Sequence, residues 1–322
     1  EQQRAQEEWE AVESSQTGTA AAAGSGSSLK TPFITITLPA GLLEEPAGPA
    51  ALISFEEALQ YFQGAELDEC RKKVQATTRR RGLAALLHVL FGPPRLQAPL
   101  QAERDLALAI AHCALDDREW VHVRILQTIY QSLTRSALAC PRYGAHWEEL
   151  GFQGADPGTD LRGTGMLGLL QILHFVTDSR MLPLALKIFQ LSQHETQARP
   201  LLAPFPFCLM SLNITHIVIR ALRDGRLSRE CRRRQQVLAV LNDVHAGAFL
   251  RLSCGWTARR GTLADAGALL QELETFTKKK PKQLLKSLET YLSGSLAAPA
   301  WDGDFTGVCD LPVEPGGDTA EP

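Results

Sequence analysis

Residues 147–175 read W-E-E-L-G-F-Q-G-A-D-P-G-T-D-L-R-G-T-G-M-L-G-L-L-Q-I-L-H-F, the most distinctive stretch of the chain. Its first half is amphipathic and includes Gly151, Gly154 and the Asp156-Pro157 pair, which favour turns. Its second half is an almost wholly apolar run, which predicts a helix buried on all sides. One arginine, Arg162, stands between the two halves and is followed by glycines. The stretch therefore predicts a loop that presents an arginine just before a buried helix.

Composition sets the broad class of protein. The chain has 322 residues, of which 44% are hydrophobic, enough for one large domain with tails or for two domains. Lys+Arg number 33 and Asp+Glu 36, so the formal net charge is −3. Because nucleic-acid-binding domains usually show a clear basic excess, no nucleic-acid partner is expected. The 7 cysteines include no CxxC pair, a pattern typical of reduced thiols in the cytosol.

Segments for membranes and targeting have recognisable patterns. No segment reaches the roughly 18 to 20 uninterrupted apolar residues of a membrane span. The start of the chain has no basic stretch followed by an apolar run, but its first residue is Glu1 rather than methionine, so targeting stays open. A cytoplasmic location is expected, with the cytoskeleton, cilia and membrane surfaces as candidate places of association.

Three regions are predicted along the chain. Residues 1–53 are expected to be largely disordered, because they include a low-complexity A-A-A-A-G-S-G-S-S segment. Within them, F-I-T-I-T-L at 33–38 has the period of a strand, and a docking segment is an equal interpretation. Residues 54–293 are predicted to form one all-α domain, and residues 294–322 an acidic tail rich in Pro and Gly.

Helical periodicity is the basis for the all-α class. S-F-E-E at 54–57 has the spacing of a helix start, with Ser54 as the capping residue. Apolar residues recur at helical spacing through most of the region, and Pro or Gly stands at the joints. Two helices are predicted within 101–138. Single helices are predicted at 182–193, 207–223, 227–244, 262–276 and 283–292, in addition to the apolar run at 83–91.

Several familiar motifs are absent or lack their context. G-T-G-M-L-G at 163–168 has the spacing of a dinucleotide fingerprint, but no strand precedes it and no βαβ pattern surrounds it. A simpler interpretation is that Thr159 or Asp160 caps a buried helix that packs closely through its glycines. No Walker A, H-E-x-x-H or G-x-S-x-G sequence is present, and the scattered histidines predict no metal site.

Charged side chains allow more than one interpretation. Arg162 could form a salt bridge to Asp156 or Asp160 that fixes the loop, which spacing alone favours. Alternatively, it could seek an anion in a partner, because a guanidinium is a permanent charge with a planar fork of donors. The most demanding such use is the arginine finger, an arginine that an activating protein inserts into the nucleotide site of a GTPase. It raises the rate of GTP hydrolysis by about 10³- to 10⁵-fold. Basic runs at 79–81, 229–234 and 278–282 predict solvated helix faces, although together they could meet anionic lipid or an acidic partner.

The motif residues resemble those of the ELMO-domain family. The family pattern W-x-x-L-G-F-Q-G-x-D-P-x-T-D-x-R-G-x-G-x-L-G-L stands here at 147–169, with Leu161 where Phe is often found. P-F-C-L-M-S-L-N-I-T-H at 206–216 is similar to a second family segment that ends in Asn-x-Thr-His. The resemblance covers about residues 101–277.

The resemblance implies one of two functions. Larger members are scaffolds of an exchange-factor complex, whereas shorter members activate Arf-family and Arf-like GTPases through the motif arginine. This chain shows no armadillo-type repeats, PH-like strands or polyproline arm, so the activator branch is the better match. Arg162 is then the expected catalytic arginine. The expected partner-binding residues are Trp147, Gly151, Phe152, Gln153, Gly154, Asp156, Pro157, Thr159, Asp160, Gly163 and Gly165.

The implied mechanism needs no cofactor of the chain's own. The partner GTPase carries GTP and Mg²⁺, so the chain is expected to act on a partner's active site rather than as an enzyme itself. Gly163 and Gly165 would let the loop approach, and Gln153 could position the attacking water or cap the loop. The alternative is a non-catalytic effector or scaffold that binds a small GTPase or an exchange-factor complex. Sequence alone leaves open the choice between them and the identity of the GTPase.

Overall fold

The computed structural model describes residues 52–78, 96–198, 205–259 and 261–294. The predictions for nearly all of the two tails, for the 33–38 segment and for the apolar run at 83–91 lie outside these residues. So do the basic run at 79–81 and Cys309.

Helices account for all the regular structure in the described residues, where no strand occurs, and this confirms the predicted all-α class. Two short 3₁₀-helices, η1 and η2, stand among them. The α-helices, numbered here in chain order, are α1 (Phe55–Gly64), α2 (Asp68–Thr78), α3 (Ala98–Ile110), α4 (Trp120–Thr134), α5 (His146–Glu149), α6 (Gly165–Thr177), α7 (Leu182–Ala198), α8 (Phe207–Arg223), α9 (Ser228–Arg234), α10 (Leu238–Arg259), α11 (Ala266–Lys279) and α12 (Pro281–Leu292). The 3₁₀-helices are η1 (Pro157–Leu161) and η2 (Leu263–Asp265).

The start of α1 confirms the predicted capping residue. The Ser54 hydroxyl accepts a hydrogen bond from the backbone N–H of Glu57 at 3.1 Å. This satisfies one of the first-turn donors that a helix leaves without an internal partner. The apolar residues that follow then face the core, where Phe62 is fully buried.

One predicted helix, 227–244, is wrong. The chain forms α9 and then α10, because Gln235 adopts a left-handed conformation at φ 55° and ends α9. The second helix also continues to Arg259, well beyond the predicted end. Its first turn is capped from α3, where the Glu103 carboxylate accepts the backbone N–H groups of Val237 at 2.9 Å and Leu238 at 2.8 Å. No local sequence signal marks that cap.

Helix α6 lies at the centre of the fold. Every residue from Gly165 to Val176 is buried except His174, as expected for a helix that is apolar on all faces. It packs against α1, α3, α4, α7, α8 and α10. The loop that carries Arg162 runs directly into the N-terminus of this helix, so its C-terminal end is anchored in the core.

Candidate functional site

The chain between α5 and α6 (residues 150–164) carries Arg162 and is called here the arginine loop. It begins at a tight junction with α8. The carbonyl oxygens of Leu150 and Gly151 accept the backbone N–H groups of Cys208 at 3.0 Å and Leu209 at 3.1 Å. Gly151 has φ 89°, and a Cβ atom there would lie 2.5 Å from the backbone nitrogen of Phe207. Only glycine fits this position, because other residues would be strained and would clash. The two sequence segments that carry the family resemblance therefore contact each other.

Two aromatic residues of the motif are structural. Trp147 is fully buried, and its indole Nε1–H donates to the carbonyl oxygen of Arg142 at 3.0 Å. Phe152 is also buried and packs edge-on against the Trp147 ring, with centroids 6.0 Å apart. Because their side chains are enclosed, these residues hold the loop in place and present no surface to a partner.

The Asp-Pro pair starts the short helix η1. The Asp156 carboxylate accepts the backbone N–H of Gly158 at 2.8 Å, and the Thr159 hydroxyl donates to the Asp156 carbonyl oxygen at 2.8 Å. Pro157 is buried at the first position of this helix, where a missing N–H is tolerated. The aspartate and proline therefore set the direction in which the chain leaves the turn.

Neither Thr159 nor Asp160 caps the buried helix, which corrects that interpretation. Asp160 instead accepts the backbone N–H of Gln153 at 2.7 Å and so closes the loop on itself. Burial raises the pKa of Asp160, the hydrogen bond from Gln153 opposes this, and the nearby Asp156 charge adds to it. At the start of α6, the backbone N–H of Met166 donates to the carbonyl oxygen of Cys113 at 2.9 Å.

The glycines after Arg162 are required by this chain's own packing. Gly163 has φ 82°, and a Cβ atom there would lie 2.5 Å from Cε1 of His216 on α8. Gly165 has φ 50°, and its Cβ atom would lie 2.6 Å from the carbonyl oxygen of Cys113. The explanation that these glycines make room for a partner is therefore incomplete, since the fold alone demands them.

Arg162 itself is exposed and unpaired. It follows η1 with φ −57° and ψ 119°. Within the part of the chain that the structure describes, its guanidinium forms no hydrogen bond or salt bridge. The salt bridges to Asp156 or Asp160 that its spacing allows are not formed. Its donors are therefore available to an external acceptor.

A cleft of about 810 Å³ lies beside Arg162. Its charged lining consists of Asp116, Asp117, Arg118, Arg142, Asp156 and Arg162. Three acids and three bases thus face one open space, so the cleft carries both signs of charge.

Arg142 binds two of the carboxylates that line this cleft. Its Nε donates to Asp117 at 2.5 Å and its Nη1 donates to Asp156 at 2.9 Å. The Tyr143 hydroxyl donates to the other Asp117 oxygen at 2.5 Å, and the Arg142 guanidinium lies 4.5 Å from the Tyr143 ring centroid. The hydrogen bonds from Tyr143 and Arg142 hold the pKa of Asp117 below its usual value. Sequence reasoning missed Arg142, since its carboxylate partners are 25 and 14 residues away.

The predicted site residues thus divide by exposure. Exposed are Gln153, Thr159, Arg162 and Gly163; half-buried are Gly151, Gly154, Asp156 and Asp160; buried are Trp147, Phe152, Pro157 and Gly165. The exposed and half-buried groups form the outer surface of one loop, and the buried groups support it.

The described residues also bear on metal binding and membrane insertion. There, no group of three or more His, Cys, Asp or Glu side chains is arranged to hold a metal ion. None of the helices in the same ranges combines the length and apolar character needed to cross a bilayer.

Comparison with known proteins identifies the family. The model of the ELMO/CED-12 family matches residues 105–270. The chain belongs to the ELMO/CED-12 family. This match confirms the resemblance inferred from the motif, and it contains both the arginine loop and its partner helix α8. Proteins of the ELMO/CED-12 family are associated with small-GTPase signalling, so the chain has a small-GTPase-associated role.

Individual members of the ELMO/CED-12 family are similar over different lengths. Human ELMO domain-containing protein 3 is 48% identical over 324 aligned residues, covering 96% of this chain and 78% of the human protein. The mouse protein of that name is 49% identical over 279 residues, with 82% and 72% covered. Human ELMO domain-containing protein 2 is 29% identical over 106 residues, with 33% of each chain covered. No solved structure matches the chain significantly.

Proposed function

We propose that this chain is a GTPase-activating protein for an Arf-family or Arf-like GTPase, and that Arg162 is the arginine it supplies in trans. The observation that carries this proposal is the free guanidinium of Arg162 on an exposed but well-anchored loop. An arginine that served only the fold would be expected to use the carboxylates of its own loop. Asp156 and Asp160 instead bind other groups.

The chemistry of GTP hydrolysis explains why such an arginine accelerates it. Negative charge develops on the phosphate oxygens in the transition state, and a guanidinium can neutralise it through paired donors. The loop must hold its shape as it enters the nucleotide site, because donors arranged in advance need no reorganisation during the reaction. Anchoring at Gly151, Gly163 and Met166 supports that requirement. Gln153 has an exposed side chain on the same loop and could contact the partner or its attacking water.

Single-turnover GTP hydrolysis across a panel of Arf and Arf-like GTPases tests the proposal. Wild-type protein should accelerate at least one GTPase, by about 10³- to 10⁵-fold if the finger is fully effective. Arg162→Lys keeps the charge but loses the fork, so it should lose most of this acceleration. Its unfolding free energy should stay within about 0.5 kcal/mol of wild type, because the residue is exposed and unpaired.

A matched control is available at the opposite end of α6. Arg180 is also exposed, with a side chain 70% accessible, and it follows the helix that Arg162 precedes. The 13 residues of α6 separate the two positions by about 20 Å. Arg180→Lys should leave activation unchanged. If Arg162→Lys were as active as wild type, the finger role would be wrong.

A transition-state mimic separates activation from simple binding. Wild-type protein should bind the GDP-loaded GTPase with aluminium fluoride much more tightly than either the GDP or the GTP state. Equal binding of the GTP state by wild type and Arg162→Lys, with no acceleration by either, would instead indicate a non-catalytic effector.

A further inference from the structure

We propose that Arg142 is a positioning residue, which keeps the Asp117 and Asp156 carboxylates occupied and thereby leaves the Arg162 guanidinium free for a partner. This inference rests on the proposed function, in which a free Arg162 enters the GTPase.

The need for such a residue follows from the charges in the cleft. Asp156 precedes Arg162 by six residues, and both side chains line the same cleft. Opposite charges near a protein surface attract more strongly than in bulk water, because the surrounding protein screens them less. An arginine captured by a carboxylate of its own loop would have to break that pair before it could bind a phosphate. Activation would be correspondingly weaker.

Arg142 is built to prevent this capture. One guanidinium binds both carboxylates, through Nε to Asp117 and Nη1 to Asp156, and a lysine could not match that planar fork. Its side chain is only 17% exposed and stacks on the Tyr143 ring, and its carbonyl oxygen is held by Trp147. Arg142 is therefore fixed in the fold, whereas Arg162 projects from it.

Asp156 links this arrangement to the shape of the loop. The same oxygen, Oδ1, accepts Nη1 of Arg142 and the backbone N–H of Gly158. Without the Arg142 charge, Asp117 keeps the hydrogen bond from Tyr143 and the turn keeps its bond through Gly158, but the Asp156 carboxylate has no cation. Arg162 and Arg118 are the other cations that line the cleft and could then move toward it.

The main test compares Arg142→Gln with the double variant Arg142→Gln/Asp156→Asn. At saturating concentration of the activator, Arg142→Gln should lower the rate of GTP hydrolysis by about 10-fold or more, because Arg162 is misplaced. The concentration for half-maximal effect should change less than about threefold. The double variant should recover most of the rate, since Asn keeps the acceptor for Gly158 without the charge. Arg142→Lys, which still binds one carboxylate, should be intermediate.

Recovery in the double variant separates positioning from stability. Both variants lack the ion pair, so a loss of rate caused by a weakened fold would persist when Asp156 is neutralised. The matched control is Arg124→Gln. Arg124 is 16% exposed, binds the Glu57 carboxylate at 2.5 Å and lies 5.0 Å from the Trp120 ring centroid, but it is not in the cleft. Its replacement should lower stability without lowering the saturated rate.

A readout without any GTPase distinguishes failure of this inference from failure of the proposed function. Proton exchange at Nε of Arg162, followed by NMR, should be fast in wild type, slower in Arg142→Gln and fast again in the double variant. If wild type activates no GTPase but the exchange rates follow this order, the proposed function fails and the positioning role stands. Unchanged exchange in Arg142→Gln, or a lost rate that Asp156→Asn does not restore, would overturn the inference.

Discussion

Gly163 connects the arginine loop to the body of the domain through a single backbone conformation. Its φ of 82° is one that side-chain-bearing residues rarely adopt, and His216 occupies the space where a Cβ atom would stand. The residue next to the proposed finger is therefore constrained on two grounds, conformation and contact. Packing within the domain is therefore sufficient to require glycine at this position, whether or not a partner binds.

Gly163→Ala should consequently destabilise the domain by about 1–3 kcal/mol, the usual cost of one strained backbone residue. It should also lower GTPase activation, because relief of the clash moves Arg162. Chemical denaturation measures the first effect and single-turnover hydrolysis the second.

Gly154 supplies the control for this prediction within the same motif. Its φ lies outside the left-handed range, and a Cβ atom there would have no neighbour within 4 Å. Gly154→Ala should therefore change the unfolding free energy by less than about 0.5 kcal/mol. Equal stabilities of the two alanine variants would contradict the assignment of strain to Gly163.

At the scale of elements, α10 depends on α3 for its start. A helix N-terminus has unpaired N–H donors and a partial positive charge, and the Glu103 carboxylate meets both needs at Val237 and Leu238. The carboxylate comes from 134 residues earlier in the chain. This cap joins the N-terminal helices to the longest helix of the described domain.

Glu103→Ala should lower the unfolding free energy by about 1–2 kcal/mol, the typical cost of losing an N-terminal cap. Glu103→Gln should cost less, because the amide oxygen can still accept one of the two bonds. Urea denaturation of both variants measures these values. Glu289→Ala, at an exposed position on α12, should change stability little. A loss for Glu103→Ala no larger than that for Glu289→Ala would show that the cap does not stabilise the domain.

At the scale of the whole molecule, buried and half-buried histidines make stability depend on pH. Burial is the main cause that lowers the pKa of His112, His122, His174, His216 and His245. For His245, which is enclosed in the core beside the Ser211 hydroxyl at 2.9 Å, the pKa falls to about 3. These groups are neutral in the folded domain at pH values where the unfolded chain already binds protons.

The sign of the effect follows from proton binding. Below about pH 6.5 the unfolded chain takes up a proton at each histidine, whereas folded His245 stays neutral down to about pH 3. The stability is therefore present above pH 6.5 and is lost as the pH falls. His245 alone should contribute a loss of about 2 kcal/mol between pH 7 and pH 5.

Denaturation at pH 7 and pH 5 tests this contribution. In His245→Gln, the loss of stability between these pH values should be smaller than in wild type by about 2 kcal/mol, whatever the stability of the variant at pH 7. The carboxylates are common to both proteins and cancel in this comparison. The same loss in both proteins would show that His245 does not remain neutral at pH 5.

Local patterns were sufficient for much of the architecture. The apolar run after Arg162 predicted a buried helix, S-F-E-E predicted the start of α1, and the predicted helix 207–223 coincides with α8. The motif also placed Arg162 on a loop and identified the family. These features depend on periodicity, capping and turn residues within a few positions of one another, so they can be read from the linear chain.

Tertiary structure decided what depends on distant partners. The break between α9 and α10 lies at Gln235, a residue with no breaker character, next to a cap that comes from Glu103. Arg162 is free while Arg142 holds the neighbouring carboxylates, and Gly163 is required because His216 packs against it. Spacing favours a salt bridge at Arg162 because Asp156 and Asp160 are close to it in the sequence. The cation that binds Asp156 is instead Arg142, which is 14 residues away from it. Competition for one acceptor is settled only when the folded chain brings all the donors together.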